Sequence, residues 1–292
     1  GEAVAAALGL KLFKPQDLGA AQLRAILGLE ASDEPLPDGV YPVVDDLGFT
    51  SVFVQGDLLE LIPAIGGDEQ FILFRTETGE WLLRSDPGLG RSAFSGPEGS
   101  RSFATAFGGY VIVNGGIGSL CAGRVTEEGS VVASTDAARP SILNGTGLTI
   151  VSSESVSITS SLIVQGAEWK NGFPFLEDSR ARLTIASTGR DLVSGEERES
   201  VISVSGETPT EVKIQAAVLS GNGTFEIHGS NKSVEIAGGL HVSGLDSGGN
   251  SLAISPDPRL PIQGTGAGAI STTKNYLLVT AVRPTAWKEG PE

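Results

Sequence analysis

Short runs of alternating apolar and polar residues, each closed by a Gly, Ser or Asn corner, recur between Leu148 and Ile254. They read LTIVS, VSITS, LIVQG, LTIAS, VKIQAAV, TFEIHG, VEIAGG, LHVSG and SLAIS. A period of two turns one side of each segment inward, the pattern of a half-buried strand. Gly, Ser and Asn accept corner conformations that other residues resist. Segments this short bury their inner side only against the next copy. The pattern therefore predicts a β-solenoid, with Leu148, Ile150, Val156, Ile158, Leu162 and Val164 facing inward. A β-sandwich, which also has many short strands, is the alternative.

The flanks read differently. Residues 2–13 and 17–29 have helical spacing, separated at Pro15, with Asp17 placed to cap the second piece. After the loop SDEPLPDG, strands are expected at GVYPVV, TSVFVQG, LLELIPAI, QFILFRT and EWLLRS, the last two joined as a hairpin through TETGEW. Helix and meander together make a small α+β unit. Residues 86–102 read as a turn-rich linker, and YVIVNGGIGSL as the first strand of the solenoid. The loop 123–146 carries one strand at VVAS. The repeat is interrupted at 168–180 and 188–200, where specific surface chemistry is expected. YLLVTAV, near the end, reads as a strand that stays with the solenoid or returns to the first sheet. The expected class is mainly β: a β-solenoid (β-helix-like) domain at 103–265 mounted on a small α+β head at 1–102, with a C-terminal strand segment at 266–292.

Charge narrows the partners. The 292 residues carry 35 acidic against 20 basic side chains, a net charge of −15. A field of that sign repels nucleic acid and anionic membranes, so any nucleic-acid contact needs a local basic patch. Arg180, Arg182, Arg190 and Arg198 gather beside Trp169, Phe173 and Phe175. Arginines next to aromatic rings are one way to hold nucleic acid, although acids are interleaved among them. The one cysteine, Cys121, excludes an internal disulfide and reads as a small buried hydrophobe. No apolar stretch is long enough to span a membrane.

Catalytic and metal motifs are missing. There is no HxH, HExxH, CxxC, EF-hand loop, GxSxG or phosphate-binding glycine loop. No cofactor, metal or catalytic residue is assigned, and the chain does not read as an enzyme. His228 and His241 read as surface residues of strands. Glu226, Glu235, Asp246 and Asp257 read as solvated acids, whereas a polysaccharide-processing β-helix enzyme would cluster two or three on one face. The Asn144, Asn222 and Asn231 sequons read as corners rather than glycan acceptors.

With these segments in hand, the chain resembles the large minor type IV pilins and prepilin-like proteins of thermophilic bacteria. The likeness is carried in order by GYVIVNGGIGSL, LTIVSSESVSITSSLIVQG, VKIQAAVLSGNGTFEIHG with VEIAGGLHVSG, SPDPRL and AWKEGP, and covers roughly residues 103–292. SPDPRL departs from the family in lacking an aromatic before its aspartate. The resemblance implies a pilin head carrying an inserted β-solenoid. It also implies other pilins as partners, and an inner-membrane helix preceding residue 1 and absent from this chain. The expected location is extracellular, on the pilus, after membrane anchoring. A competence-associated member implies a DNA-receptor role, which would fall to the four arginines with Trp169 and Phe173. A surface or glycan adhesin is the rival reading, and the enzyme the third.

Overall fold

The computed structural model describes residues 20–257, except 31, 46, 47, 135, 137, 171, 172 and 176–179, together with 270–273 and 276–279. In chain order these form helix α1 (Ala20–Ile26) and strands β1 (Gly39–Asp45), β2 (Gly48–Gln55), β3 (Glu60–Gly66), β4 (Glu69–Thr76), β5 (Gly79–Asp86), β6 (Arg91–Gly96) and β7 (Gly99–Phe103). Next come β8 (Tyr110–Asn114), β9 (Ile117–Leu120), β10 (Gly123–Val125), β11 (Val131–Ala133), β12 (Pro140–Ile142), β13 (Gly147–Ser152), β14 (Val156–Ile158) and β15 (Ile163–Val164). Then follow β16 (Glu168–Lys170), β17 (Phe173–Phe175), β18 (Arg182–Ser187), β19 (Val201–Val204), β20 (Glu211–Ile214) and β21 (Ala217–Ser220). The run ends with β22 (Thr224–Ile227), β23 (Ser233–His241), β24 (Gly244–Asp246), β25 (Ser251–Pro256), β26 (Ile270–Thr273) and β27 (Tyr276–Val279).

Two large sheets dominate this mainly β chain. One runs β1-β2-β8-β13-β18-β21-β23-β20, with β25 also on β23; the other runs β24-β22-β19-β14-β9-β3-β4-β5-β6-β7. From β2 to β23 the first sheet is parallel, so Val52, Val111, Ile150, Ile185, Val218 and Leu240 stand side by side. The second is parallel from β9 to β24, which aligns Val156, Ile202, Phe225 and Leu245. A third line follows the β12–β15 pair, the Leu162–Ile214 bridge and the β20–β23–β25 pairing. All six inward residues expected from the alternation are in the core, none more than 3% exposed. Each such aliphatic burial is worth about 1.5–3 kcal/mol.

The two sheets differ in pattern for a physical reason. In the second, Ser157 and Ser203 alternate with buried neighbours and face outward. In the first, the outward row Phe53, Ile112, Val151, Ala186 and Leu219 is also buried. Strands buried on both faces lose their alternation, hence VFV, VIV, TIV and TIA. Over Phe53 and Ile112 the cover is α1, through Leu23 and Leu27, joined by Leu192 and Val193. Gly28, at φ +75°, ends α1; its N–H donates to the Ala25 carbonyl and that of Leu29 to the Arg24 carbonyl, a Schellman closure.

Corner serines do more than permit a bend. Ser152, Ser187 and Ser220 align in register and are fully buried. The Ser152 hydroxyl donates to the Gly115 carbonyl (2.6 Å) and that of Ser187 to the Glu154 carbonyl (2.6 Å), while Ser200 lies 2.8 Å from Ser187 and 2.7 Å from Ser220. A chain of hydroxyls thus adds hydrogen bonds at the corner carbonyls, where the Gly115 oxygen also accepts from the Glu154 N–H at 3.3 Å. Glutamines act similarly along the third line. Gln70 bridges Ala64, Phe71, Ser141 and Leu143, and Gln215 accepts from the Val164 N–H.

Several expectations change. No helical head is seen among the described residues. α1 has seven residues, and residues 2–13 lie outside the description. The meander is continuous with the repeat, because β2 pairs with β8 and β3 meets β9. Val54, Phe74 and Phe94 share one core with Ile150 and Ile236. Residues 86–102 are not a linker. RSAFSG and GSRSF pair as β6 and β7 around the two-residue turn Pro97–Glu98. The interruption at 168–180 holds the hairpin β16–β17. Tyr276–Val279 of YLLVTAV is a strand, paired antiparallel with β26.

Candidate functional site

The second interruption, 188–200, is held by a connected set of polar contacts. Asp191 organises it. Its Oδ1 accepts from the N–H groups of Val193 (2.9 Å) and Ser194 (2.8 Å) and from Asn114 Nδ2 (3.4 Å), while Oδ2 accepts from Arg198 Nη2 (3.2 Å). Asn114 returns the link by accepting from the Leu192 N–H at 2.7 Å. Burial pushes the Asp191 carboxyl up, but the hydrogen bonds from Ser194, Val193, Arg198 and Asn114 outweigh it and hold the group below its ordinary value. The loop is thereby fixed with Leu192 and Val193 against the sheet.

This arrangement decides what Arg198 can do. Its guanidinium faces Asp191 at 3.2 Å, Glu154 at 3.8 Å and Glu196 at 4.0 Å. Three carboxylates leave little field for a phosphate. Arg190 is exposed, and its backbone bridges Glu197. The two arginines line a groove of about 510 Å³ together with Glu197, Glu199 and Glu226, so its charge is mixed. Arg180 and Arg182 lie elsewhere. Arg180 is exposed, with its N–H donating to Asn144 Oδ1 at 2.6 Å; Arg182 is half-buried beside Gly147, with Nη1 on the Ala181 carbonyl at 3.0 Å. Strand β18 separates the pairs, and six strand residues span roughly 17 Å at about 3.3 Å per residue. The structure does not gather the four arginines into one patch. Trp169 and Phe173 pair with Pro174 and Lys170 across the β16–β17 hairpin, and their side chains lie outside the described residues.

Acids are spread over different lines. Glu226 and Asp246 are register neighbours on β22 and β24. Thr224 Oγ1 donates to Glu226 Oε1 at 2.9 Å, and His228 Nε2 lies 3.4 Å from its Oε2. Glu235 stands instead between Lys213 and Ala253, and Asp257 is buried. Among the described residues no three His, Cys, Asp or Glu side chains converge as a metal set. His228 and His241 are exposed, and the Cys121 thiol is buried, which raises its pKa. A further groove, about 720 Å³, runs along the outside of the second sheet and is lined by hydroxyls of Ser119, Ser157, Thr159, Ser160 and Ser205.

Sequence reasoning missed the Asn114–Asp191–Arg198 unit. Its signal was the string DLVSG, an aspartate followed by amides that fold back on it, as in other Asx turns. The partner Asn114 lies far away in sequence, at the end of β8.

No family model, curated protein or solved structure matches this chain. What defines its class is therefore internal: a mainly β chain of two large, partly parallel sheets. No helix among the described residues is long and apolar enough to cross a membrane.

Proposed function

We propose that the parallel stacks are successive turns of a β-solenoid, and that the chain is the non-catalytic ectodomain of a minor type IV pilin-like surface fibre subunit. The observation that carries this reading is the unbroken in-register pairing from Val52 to Leu240 and from Val156 to Leu245. Such a stack is a stiff spacer, held turn against turn. The order of pilin-like segments along the sequence supports it. So does α1, laid by Leu23 and Leu27 against Phe53 and Ile112, where an N-terminal helix would enter the body. Other pilins are the partners on this reading, with export and membrane anchoring before assembly.

Capture of duplex DNA has weaker support, since Arg198 is already matched by carboxylates, Arg190 shares its groove with Glu197, Glu199 and Glu226, and Arg180 and Arg182 do not join them. The test is immunogold labelling of intact cells and of sheared surface fibres, using antibodies raised to this chain. Label along or at the tip of fibres is expected. Unlabelled fibres, with the antigen confined to the cytosolic fraction, refute the proposal. A duplex-DNA mobility shift at low and moderate salt tests the receptor version, since phosphate contacts make retention fall steeply with salt.

A further inference from the structure

At the end of the molecule where the sheets are antiparallel, their edge strands β1 and β7 border a groove of about 370 Å³. That is at the lower end of the roughly 300–1,000 Å³ typical of small-molecule sites. Its floor is aromatic. Trp81 and Phe94 project from β5 and β6, and Tyr41 lines the β1 side. The indole is seated on glycine: a Cβ at Gly96 would lie 2.2 Å from Trp81 Cδ1 and 2.5 Å from Nε1, and one at Gly79 would lie 3.5 Å from its Cη2. Any side chain at position 96 would lift the ring. One face of Trp81 is thus occupied by backbone, yet the residue stays partly exposed at the groove.

The rim is polar and unspent. Asp38, Glu98 and Arg101 line the groove, and none of their side chains has a hydrogen bond or ion pair among the described residues. This contrasts with Arg75, Arg84, Arg91 and Arg198, each of which faces a carboxylate. Tyr41 donates its hydroxyl proton to the Pro37 carbonyl at 2.8 Å and keeps its oxygen free to accept. Burial and the nearby Glu98 and Asp38 push the Tyr41 hydroxyl pKa up against a smaller opposing pull from Arg24, so both carboxylates act at the same wall. Beyond the Pro97–Glu98 turn the bonded pairs alternate, which leaves the backbone N–H and C=O of Ser100 pointing away from β6.

We propose that this groove recognises a short neutral oligosaccharide, one sugar ring stacking its C–H face on Trp81 while its hydroxyls bond Asp38, Glu98 and Arg101. A flat aromatic surface with a few convergent polar groups suits a ring that is apolar on its face and polar at its edge. Two lining carboxylates against one lining guanidinium, with Arg24 behind Tyr41, on a chain of net charge −15, select against anionic sugars. An added peptide strand fits less well. Leu27–Leu29, just after α1, also line the groove, and Pro42 withholds a backbone donor from the β1 edge. The site stands independently of the fibre reading.

The test uses intrinsic fluorescence. Of the three tryptophans, Trp169 and Trp287 are replaced by phenylalanine so that emission reports Trp81 alone. Maltotriose, cellotriose, chitotriose and the anionic 3′-sialyllactose are titrated in turn. A saturable change with at least one neutral trisaccharide, and a weaker one or none with sialyllactose, is expected. Gly96→Ala should weaken association by roughly tenfold or more. So should the exposed pair Glu98→Gln and Arg101→Ala, which leave the core untouched and keep the test sound if Gly96→Ala does not fold. Absence of any saturable change with neutral sugars into the millimolar range overturns the proposal. So does a response confined to an alternating Val-Lys octapeptide, which would assign the groove to strand addition.

Discussion

Replacing Ile185 by alanine tests the stacked core directly. Ile185 is fully buried and stands in register between Ile150 and Val218. The substitution removes three carbons, about 2.4 kcal/mol of transfer free energy at ~0.8 kcal/mol per group. Neighbours on both sides are held by their own pairings, so the space collapses poorly and a cavity term adds to the loss. A total of about 3–4 kcal/mol is expected, inside the ~2–5 kcal/mol range for such changes. The comparison is Leu245→Ala. Leu245 occupies the equivalent inward position of β24, at the edge of the second sheet, and is 51% exposed. Its loss should cost about 1 kcal/mol or less. Urea unfolding of both variants supplies the measurement. With a slope near 3 kcal/mol/M, Ile185→Ala should lower the midpoint by roughly 1 M and Leu245→Ala by a few tenths. Equal losses, or a loss under about 1.5 kcal/mol for Ile185→Ala, would refute the in-register core.

Other outcomes follow from single contacts. A Cβ at Gly223 would lie 1.4 Å from the Ser200 carbonyl oxygen and 2.5 Å from Ser220 Oγ, so Gly223→Ala should cost about 3 kcal/mol or more, read by thermal denaturation. Asp191 has a folded pKa below its unfolded value of 3.8, so its contribution is present above that pH and lost as pH falls through the folded value. Asp191→Asn should therefore lower stability at neutral pH and flatten the loss on acidification below about pH 4, where the unfolded carboxyl titrates. Protease nicking within 188–200 should rise in the same variant. The buried Cys121 thiol should stay silent to a thiol reagent in the folded protein and react on unfolding in urea. Arg198→Ala should leave duplex-DNA retention within about twofold, because its charge is already met by Asp191 and Glu154.

Local alternation carried much of the fold. Inward residues such as Ile150 and Val156 could be read from period two alone, as could the hairpin at TETGEW. What pairs with what could not. Nothing local says that TSVFVQ lies beside YVIVN rather than in a separate head, because parallel neighbours are linked through long connections. Residues 86–102 were hidden by their glycines and serines. Gly79 and Gly96 look like turn residues, yet they make room for an indole. The arginines illustrate the opposite failure. Arg180, Arg182, Arg190 and Arg198 are close in sequence, and a strand of extended backbone drives the first two away from the last two. Asn114 and Asp191 are distant in sequence and share a hydrogen bond.

Cover on the first sheet restricts where recognition can take place. The row Phe53, Ile112, Val151, Ala186 and Leu219 is buried, so a ligand reaching it would have to displace the segments above. The second sheet presents Ser157, Ser203, Glu226 and Asp246 in one line from strand to strand. Its hydroxyl end can exchange hydrogen bonds with a neutral partner, while its acidic end repels a polyanion lying along the stack. A long anionic ligand at Arg190 and Arg198 would also face Glu226, which lines the same groove. A short uncharged ligand avoids that repulsion altogether. On the oligosaccharide proposal, a small neutral polar partner is expected at the groove between β1 and β7, where the side chains of Asp38, Glu98 and Arg101 have no hydrogen bond or ion pair among the described residues.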